Sequence, residues 1–369
     1  MTKIFARIFS LEKIGLMTIL KSSIESMITF TPEKLHARLA AMQGRRIAVL
    51  GDFMLDRYLW GSVNRISPEA PVPIVEIDTE TEQLGGAANV ANNIAALGAL
   101  PHPLGVIGQD GSGARLLDLL ESAGFPSAGV FVDSSRPTTI KTRVIAHSQH
   151  VVRTDRESRK DLAPELQKQL LDHLKKILPT LDAILIEDYN KGVIAQPLLT
   201  HVIALARERQ VIITVDPKFN HFFDYQHVTV FKPNRKETEE VLGMKLVSAT
   251  HIDHAGEILL QRLQCENVLL TLGEQGMALF RKGGERHVIP TRARRVHDVS
   301  GAGDTVIATL TVALASGADI LEAATLANYA AGVVVGEVGA VPIDREKLIE
   351  AITHHQAGDT GNWPPDTKD

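Results

Sequence analysis

The sequence predicts an α/β fold: a central, mostly parallel sheet with helices on both faces and a small β lid. Three observations predict it. Short apolar strands alternate with helices along most of the chain, the pattern of a parallel sheet buried on both faces. Strands run straight into Asp52, Asp188 and Asp216, and ligands of open α/β sheets sit at the carboxyl ends of strands. Two segments, about 57–78 and 129–153, switch to polar–apolar alternation, which marks short antiparallel strands outside the main sheet. A chain of 369 residues, 44% hydrophobic and 22% charged, suits a soluble globular protein of one large α/β domain with an appendage, or of two domains.

The elements follow in order. Residues 1–30 read as a weakly ordered extension. Lys3, Arg7 and Lys13 flank a short apolar stretch, but Glu12 interrupts it and no small-residue cleavage site follows. Thr31-Pro32-Glu33 places an N-cap before Pro at the first helical position, and predicts a helix to Met42 stopped by Gly44. Residues 46–51 form a buried strand. Helices are expected over 87–97, closed by Gly98, and 114–123, closed by Gly124, with a strand over 104–107 between them. The rhythm continues with helices at 165–178 and 197–207 and strands at 183–186 and 211–215. Short strand 230–231 precedes helices 236–242 and 252–263. Strand 268–272, a buried helix after Asp304 and a helix over 321–335 complete the unit. The folded domain is read as 31–356, with a Pro/Gly/Asp-rich tail, 357–369, that frays.

Bulk properties exclude several classes. A net charge of −5 gives no general affinity for nucleic acid or membranes, and no run is apolar enough to span a bilayer. A single cysteine, Cys265, excludes an intrachain disulfide and suits the reducing cytoplasm. The histidines lack zinc-site spacing.

The chemistry concentrates in a few motifs. His297-Asp298-Val299-Ser300-Gly301-Ala302-Gly303-Asp304 is a small-residue turn opening a buried helix. Its free N–H groups and the helix dipole suit an anion. Asp304 repels phosphate there, unless it takes a proton from a hydroxyl while the N–H groups hold a phosphoryl group; the bland alternative is a helix cap. Gly85-Gly86-Ala87-Ala88-Asn89 opens another helix with Asn89 facing inward, suited to sugar hydroxyls or to a plain polar contact. Asn234-Arg235-Lys236-Glu237 reads either as a capping box or as an Asn/Glu pair orienting Mg²⁺-bound water. Thr271-Leu272-Gly273-Glu274-Gln275-Gly276 passes over a nucleotide or forms a hairpin. Asn328 lies among alanines that leave room for a flat ring or simply pack closely. Neither a P-loop nor a G-x-G-x-x-G fingerprint is present.

The Gly85–Asn89, Asn234–Glu237 and Asp298–Asp304 motifs, in this order, resemble the ribokinase (PfkB carbohydrate kinase) family, over about residues 45–353. Within it, 51–58 (Gly-Asp-Phe-Met-Leu-Asp-Arg-Tyr), 65–73 (Arg-Ile-Ser-Pro-Glu-Ala-Pro-Val-Pro) and 188–192 (Asp-Tyr-Asn-Lys-Gly) look like the D-glycero-β-D-manno-heptose 7-phosphate kinases of lipopolysaccharide core synthesis. Many of those carry a C-terminal nucleotidylyltransferase; this chain resembles the stand-alone kinase. One departure is Val299-Ser300, where the family usually has Thr after the first Asp of the motif.

The resemblance implies a ribokinase-like three-layer sandwich with a β lid, and transfer of the ATP γ-phosphate to the anomeric hydroxyl of a heptose 7-phosphate. It makes Asp304 the general base, with the N–H groups of Gly301, Ala302 and Gly303 stabilising the phosphoryl group. Asp52, Asp56, Gly85, Gly86, Asn89 and Asp188 would hold the sugar. Lys141, Arg143, Arg153 and Lys191 are candidates for its phosphate. Lys218, Asn234, Glu237, Thr271, Gly273, Gly276 and Asn328 would line the ATP side, with Mg²⁺ held by Glu237 through water. Exposed lid edges suggest a homodimer. Rival readings are a sister kinase for ribose, fructose or a fructose phosphate, and a non-catalytic sugar-phosphate sensor.

Overall fold

The computed structural model describes residues 28–147, 149–293, 296–337 and 339–356. The expected extension up to residue 27 and the tail from 357 lie outside the described residues. Phe30, read as part of that extension, is instead fully buried against the core.

Helix α1 (Pro32–Ala41) begins where the Thr31 hydroxyl accepts the Lys34 N–H at 3.2 Å, and leads into strand β1 (Arg46–Gly51). A long hairpin, β2 (Phe53–Ile66) and β3 (Pro73–Gly86), passes without a loop into α2 (Ala87–Ala96). Then come β4 (Leu100–Gly108), α3 (Gly111–Ser122), β5 (Val130–Asp133), β6 (Thr139–Ala146) and β7 (Gln149–Arg156). The alternation resumes with α4 (Pro164–Ile177), β8 (Ala183–Glu187), α5 (Gln196–Glu208), β9 (Ile212–Asp216) and β10 (Val230–Phe231). Next are α6 (Arg235–Leu242), α7 (Ala249–Leu263), β11 (Asn267–Thr271), β12 (Met277–Arg281) and β13 (Arg286–Ile289). Helices α8 (Ala302–Ala315), α9 (Ile320–Val334) and α10 (Arg345–Gln356) end the described chain.

The larger sheet has nine strands in the order β13-β12-β11-β10-β9-β8-β1-β4-β5. Pairing is parallel from β5 to β11 and antiparallel through β12 and β13. Its strands are apolar at successive positions because both faces are covered. In β1, Ile47 and Val49 enter one core while Ala48 and Leu50 enter the other; in β8, Ala183 and Leu185 oppose Ile184 and Ile186. Helices α1, α2, α3, α8, α9 and α10 cover the first face, and α4, α5 and α7 the second. Helix α8 is buried at every position from Asp304 to Ala313, so its sequence is apolar all round. Each fully buried Leu or Ile in these layers contributes about 1.5–3 kcal/mol by leaving water. Among the described residues no helix is long and apolar enough to cross a membrane.

The smaller sheet runs β3-β2-β6-β7 and stands apart from the nine-stranded one. Two boundaries differ from expectation. Strand β5, expected in the lid, pairs with Gly105–Gly108 of β4 as the edge of the main sheet. An edge strand is half exposed, and Val132 is open to solvent, so its alternation imitates that of a lid strand. The lid hairpin also extends to Phe53 and Gly86, beyond 57–78, because its root is buried and loses the alternating pattern. Helix α10 was not among the expected elements, although Leu348 and Ile352, one turn apart, are both buried.

Candidate active site

Strands β1, β8 and β9 are neighbours in register, Gly51 beside Glu187 and Glu187 beside Asp216, so their carboxyl ends form one ledge. Lys232, just past β10, extends it. The N-terminus of α8 faces this ledge and delivers Asp304. Oxygens of Glu187, Asp216 and Asp304 all lie within 4.8 Å of one another. The Lys232 ammonium sits 2.8 Å from Asp216 and is itself buried.

Asp304 is buried, in the wall of the site. One carboxylate oxygen accepts from Asn89 Nδ2 at 2.7 Å and the other from the Tyr189 hydroxyl at 2.8 Å. Burial raises its pKa to about 6; the two donors and Lys232 oppose this, while Asp216 adds to it. A carboxylate tuned toward neutrality is suited to accept a proton. At the start of α8, Gly301 takes φ +76°, which favours glycine. The Ala302 N–H closes a turn onto the Val299 carbonyl at 3.3 Å, so the expected anion turn narrows toward the Gly303 end. A Cβ on Gly303 would lie 3.6 Å from Asp216 and 3.7 Å from Lys232, so this residue borders the ledge.

A cavity of about 850 Å³ extends from Asp304 along α9. The structure brings Lys218, Asn234, Thr271, Gly273, Gly276, Asn328, Gly301, Ala302, Gly303 and Asp304 together in its wall. The capping box is realised: Asn234 Oδ1 accepts the Glu237 N–H at 2.9 Å, and Glu237 accepts the Asn234 N–H at 2.8 Å. The other Glu237 oxygen pairs with Lys218. Asn328 Nδ2 donates to the Pro290 carbonyl at 2.6 Å. Gly332 packs against the backbone of 292–293, so the small residues of α9 both leave space and admit a loop.

The sugar-side residues are arranged differently from expectation. Asp52 is buried and its carboxylate accepts the N–H groups of Tyr189, Lys191 and Val193 at 2.7, 3.0 and 3.2 Å. Burial, then the charge of Asp188, pushes it up to about 6. Asp188 points away from Asp304, accepting the Asn190 N–H and the Tyr225 hydroxyl, each at 2.7 Å. Successive residues of an extended chain face opposite sides, so Glu187 meets Asp304 and Asp188 does not. Asp56 pairs with Arg143 at 2.7 Å. Lys191 pairs with Glu157 at 2.7 Å, Lys141 with Asp155 at 3.5 Å, and Arg153, exposed on β7, with Asp155 at 3.0 Å. Of these cations, Arg153 is least enclosed.

Gly85 and Gly86 join β3 to α2. A Cβ on Gly85 would lie 2.6 Å from an Asp56 carboxylate oxygen; one on Gly86, at φ +57°, would lie 2.6 Å from the Asp52 carbonyl. Gly86→Ala is therefore expected to lower stability by about 2–4 kcal/mol, from backbone strain plus a rigid clash. Urea unfolding against a Gly111→Ala control, where no neighbouring atom approaches, checks this.

Sequence reasoning named Asp216 only as a strand end, quoted Tyr189 only within the 188–192 motif, and gave Glu187 and Lys232 no role. The available signal was that acids and a lysine end adjacent strands; the sheet order needed to use it was not in the sequence.

A profile described as pfkB family carbohydrate kinase matches residues 45–347. The chain is 43% identical over 328 residues to the bifunctional protein HldE of Geobacter sulfurreducens, covering 89% of this chain and 66% of that protein. It is also 43% identical to HldE of Helicobacter hepaticus, covering 83% and 64%. The chain thus spans about two thirds of the length of these relatives. Arabidopsis thaliana ribokinase complexed with ribose and ATP shares the fold with a TM-score of 0.66 at 19% identity, covering 84% of this chain and 99% of that one. Tetrameric phosphofructokinase-2 from Escherichia coli gives 0.69 at 18%, covering 84% and 100%. The fold is therefore ribokinase-like, and with a family match spanning most of its length and a buried aspartate at the mouth of a long cavity, the chain belongs to the pfkB family of carbohydrate kinases, which use ATP.

Proposed function

We propose that the chain phosphorylates the anomeric O1 of D-glycero-β-D-manno-heptose 7-phosphate, giving the 1,7-bisphosphate. The observation that carries the reaction type is Asp304, a buried carboxylate of raised pKa at a helix N-terminus beside the 850 Å³ cavity. The choice of sugar rests on the motifs at 51–58, 65–73 and 188–192 and on the 43% identity to HldE proteins.

In the step, Asp304 takes the O1 proton as O1 attacks the γ-phosphorus. The bond from that phosphorus to the β-phosphate bridging oxygen breaks, and ADP leaves. The first-turn N–H groups of α8 stabilise the transferring phosphoryl oxygens. Positioning and charge neutralisation supply most of the rate in such transfers. ATP occupies the cavity between Lys218, Asn234, Thr271 and Asn328. Magnesium fits these acidic surroundings: with Asp304 left to take the proton, Glu187, Asp216 and Glu237 still outnumber Lys218 and Lys232 around the ledge. Both Glu237 oxygens already have partners, which suits contact through water. When bound, the ion offsets phosphate charge.

Gly85, Gly86 and Asn89 form the floor under the sugar. The 7-phosphate is received by Lys141, Arg143, Arg153 and Lys191, by exchange with their present acidic partners. A homodimer through the lid accounts for the apolar Ile66, Val72 and Ile77 exposed on β2, β3 and their connection.

The test is an ATP-consumption assay over heptose 7-phosphate, ribose, fructose and fructose phosphates. A kcat/KM for heptose 7-phosphate at least tenfold above the others is expected. Preference for another sugar would overturn the substrate, and no turnover on any would overturn the reaction. Because Asp304 acts ionised, kcat/KM should fall tenfold per pH unit below about 6 and level off above it. An acid limb near 4 would contradict the raised pKa.

A further inference from the structure

Asp304 is held on both sides, and only one holder, Asn89, has been given a role. The other, Tyr189, lies in the loop between β8 and α5. Its hydroxyl is 2.8 Å from Asp304, and it lines the cavity wall. Its backbone N–H is bound by Asp52 at 2.7 Å, and the same carboxylate binds the N–H groups of Lys191 and Val193. Three hydrogen bonds to one buried carboxylate tie this loop to the end of β1, and Asn190 within it adopts φ +54°, where non-glycine residues are uncommon. The Lys218 ammonium caps the Tyr189 ring, 5.4 Å from its centroid.

We infer that Tyr189 is a positioning residue for the base: Asp52 anchors the 189–193 loop, and the loop presents the Tyr189 hydroxyl to one oxygen of Asp304. Two donors, Tyr189 and Asn89, then fix the plane of that carboxylate, leaving its remaining lone pairs directed at the incoming sugar hydroxyl. Burial, with Asp304 beside it, pushes the Tyr189 phenol well above its ordinary range, so it remains a donor. Asp52, on this account, acts through the loop and not as a direct sugar ligand.

The inference rests on Asp304 being the base, which the Asp304→Asn single variant tests by itself, so the two failures are distinguishable. The full chain is assayed with the best sugar of the panel. Tyr189→Phe keeps the ring and removes the hydroxyl. It should lower kcat about tenfold, the effect of one hydrogen bond to a charged group, with KM for sugar and ATP within twofold and one ATP still bound per chain by calorimetry. A residue acting only through Asp304 has nothing left to position once the carboxylate is gone. The Tyr189→Phe/Asp304→Asn double variant should therefore be no slower than Asp304→Asn alone. An unchanged kcat, a change confined to KM, or a double variant slower by the full factor overturns the inference. Asp52→Asn should likewise lower kcat without raising the sugar KM; a raised KM at unchanged kcat makes Asp52 a direct ligand and overturns its anchoring role.

Discussion

Asp304→Asn should reduce kcat by about 10²-fold or more while leaving the protein folded and able to bind both substrates. The amide is nearly isosteric. Its oxygen can accept from Asn89 as the carboxylate does, and its NH₂ can donate to Tyr189, whose hydroxyl reverses its role. What disappears is the proton acceptor. The same change should make the fold more stable in neutral solution. Above pH 6 the wild-type carries a buried charge held against a pKa raised to about 6. That difference from an ordinary aspartate is on the order of 3 kcal/mol before relaxation. Below about pH 4 the wild-type carboxyl is protonated in both folded and unfolded chains, so the advantage of the amide fades there. Thermal melts at pH 8 and pH 4, set beside steady-state turnover, would show both halves. Near-full activity would remove Asp304 from the chemistry, and a large loss of stability at pH 8 would refute the electrostatic account.

Lys232→Met is the change expected to harm the fold most. Lys232 is almost completely buried, 2.8 Å from Asp216 and near Glu187, one of whose carboxylate oxygens has no hydrogen-bond partner. Breaking a buried pair by removing one member typically costs about 3–5 kcal/mol, because the remaining charge is left uncompensated. The Met side chain fills similar space, so packing adds little. By contrast, Lys245 lies 2.7 Å from Glu239 but is largely exposed, and Lys245→Met should cost less than about 1 kcal/mol. Urea denaturation of the two variants compares them directly. A Lys232→Met/Asp216→Asn double variant should regain part of the loss, since the two residues share one interaction. Equal small effects at both sites would mean that solvent reaches the ledge.

Much of this fold was legible because a buried parallel sheet imposes a local rule: apolar strands, then a helix with caps. Thr31, Asn234, Gly44 and Gly98 mark boundaries that hold within a residue or two. The residues that line the cavity were also legible, since the small residues and caps at 271–276 and 301–304 have local reasons to be there. The partners of the site were less so. Asp188 and Glu187 are adjacent in sequence, and only the parity of the strand decides which one meets Asp304. Whether Arg143 faces Asp56 or solvent depends on the parallel register of β2 and β6, a pairing between segments 87 residues apart. Strand β5 was misplaced for a related reason: an edge of the main sheet and an edge of a lid present the same half-exposed pattern.

The direct passage from β3 into α2 has a mechanical meaning. Strand β3 has 14 residues, so it reaches about 45 Å at roughly 3.3 Å per residue, while Asn89 lies within one helical turn of the Gly85-Gly86 junction. The junction can serve as the fulcrum of a lever with very unequal arms. A rigid swing of about 10° moves the far tip, near Pro73, by roughly 8 Å but displaces Asn89 by only about 1 Å, by the same dimensions. Such a swing would carry the paired β2–β3 arm a long way while leaving the Asn89 contact with Asp304 nearly in place.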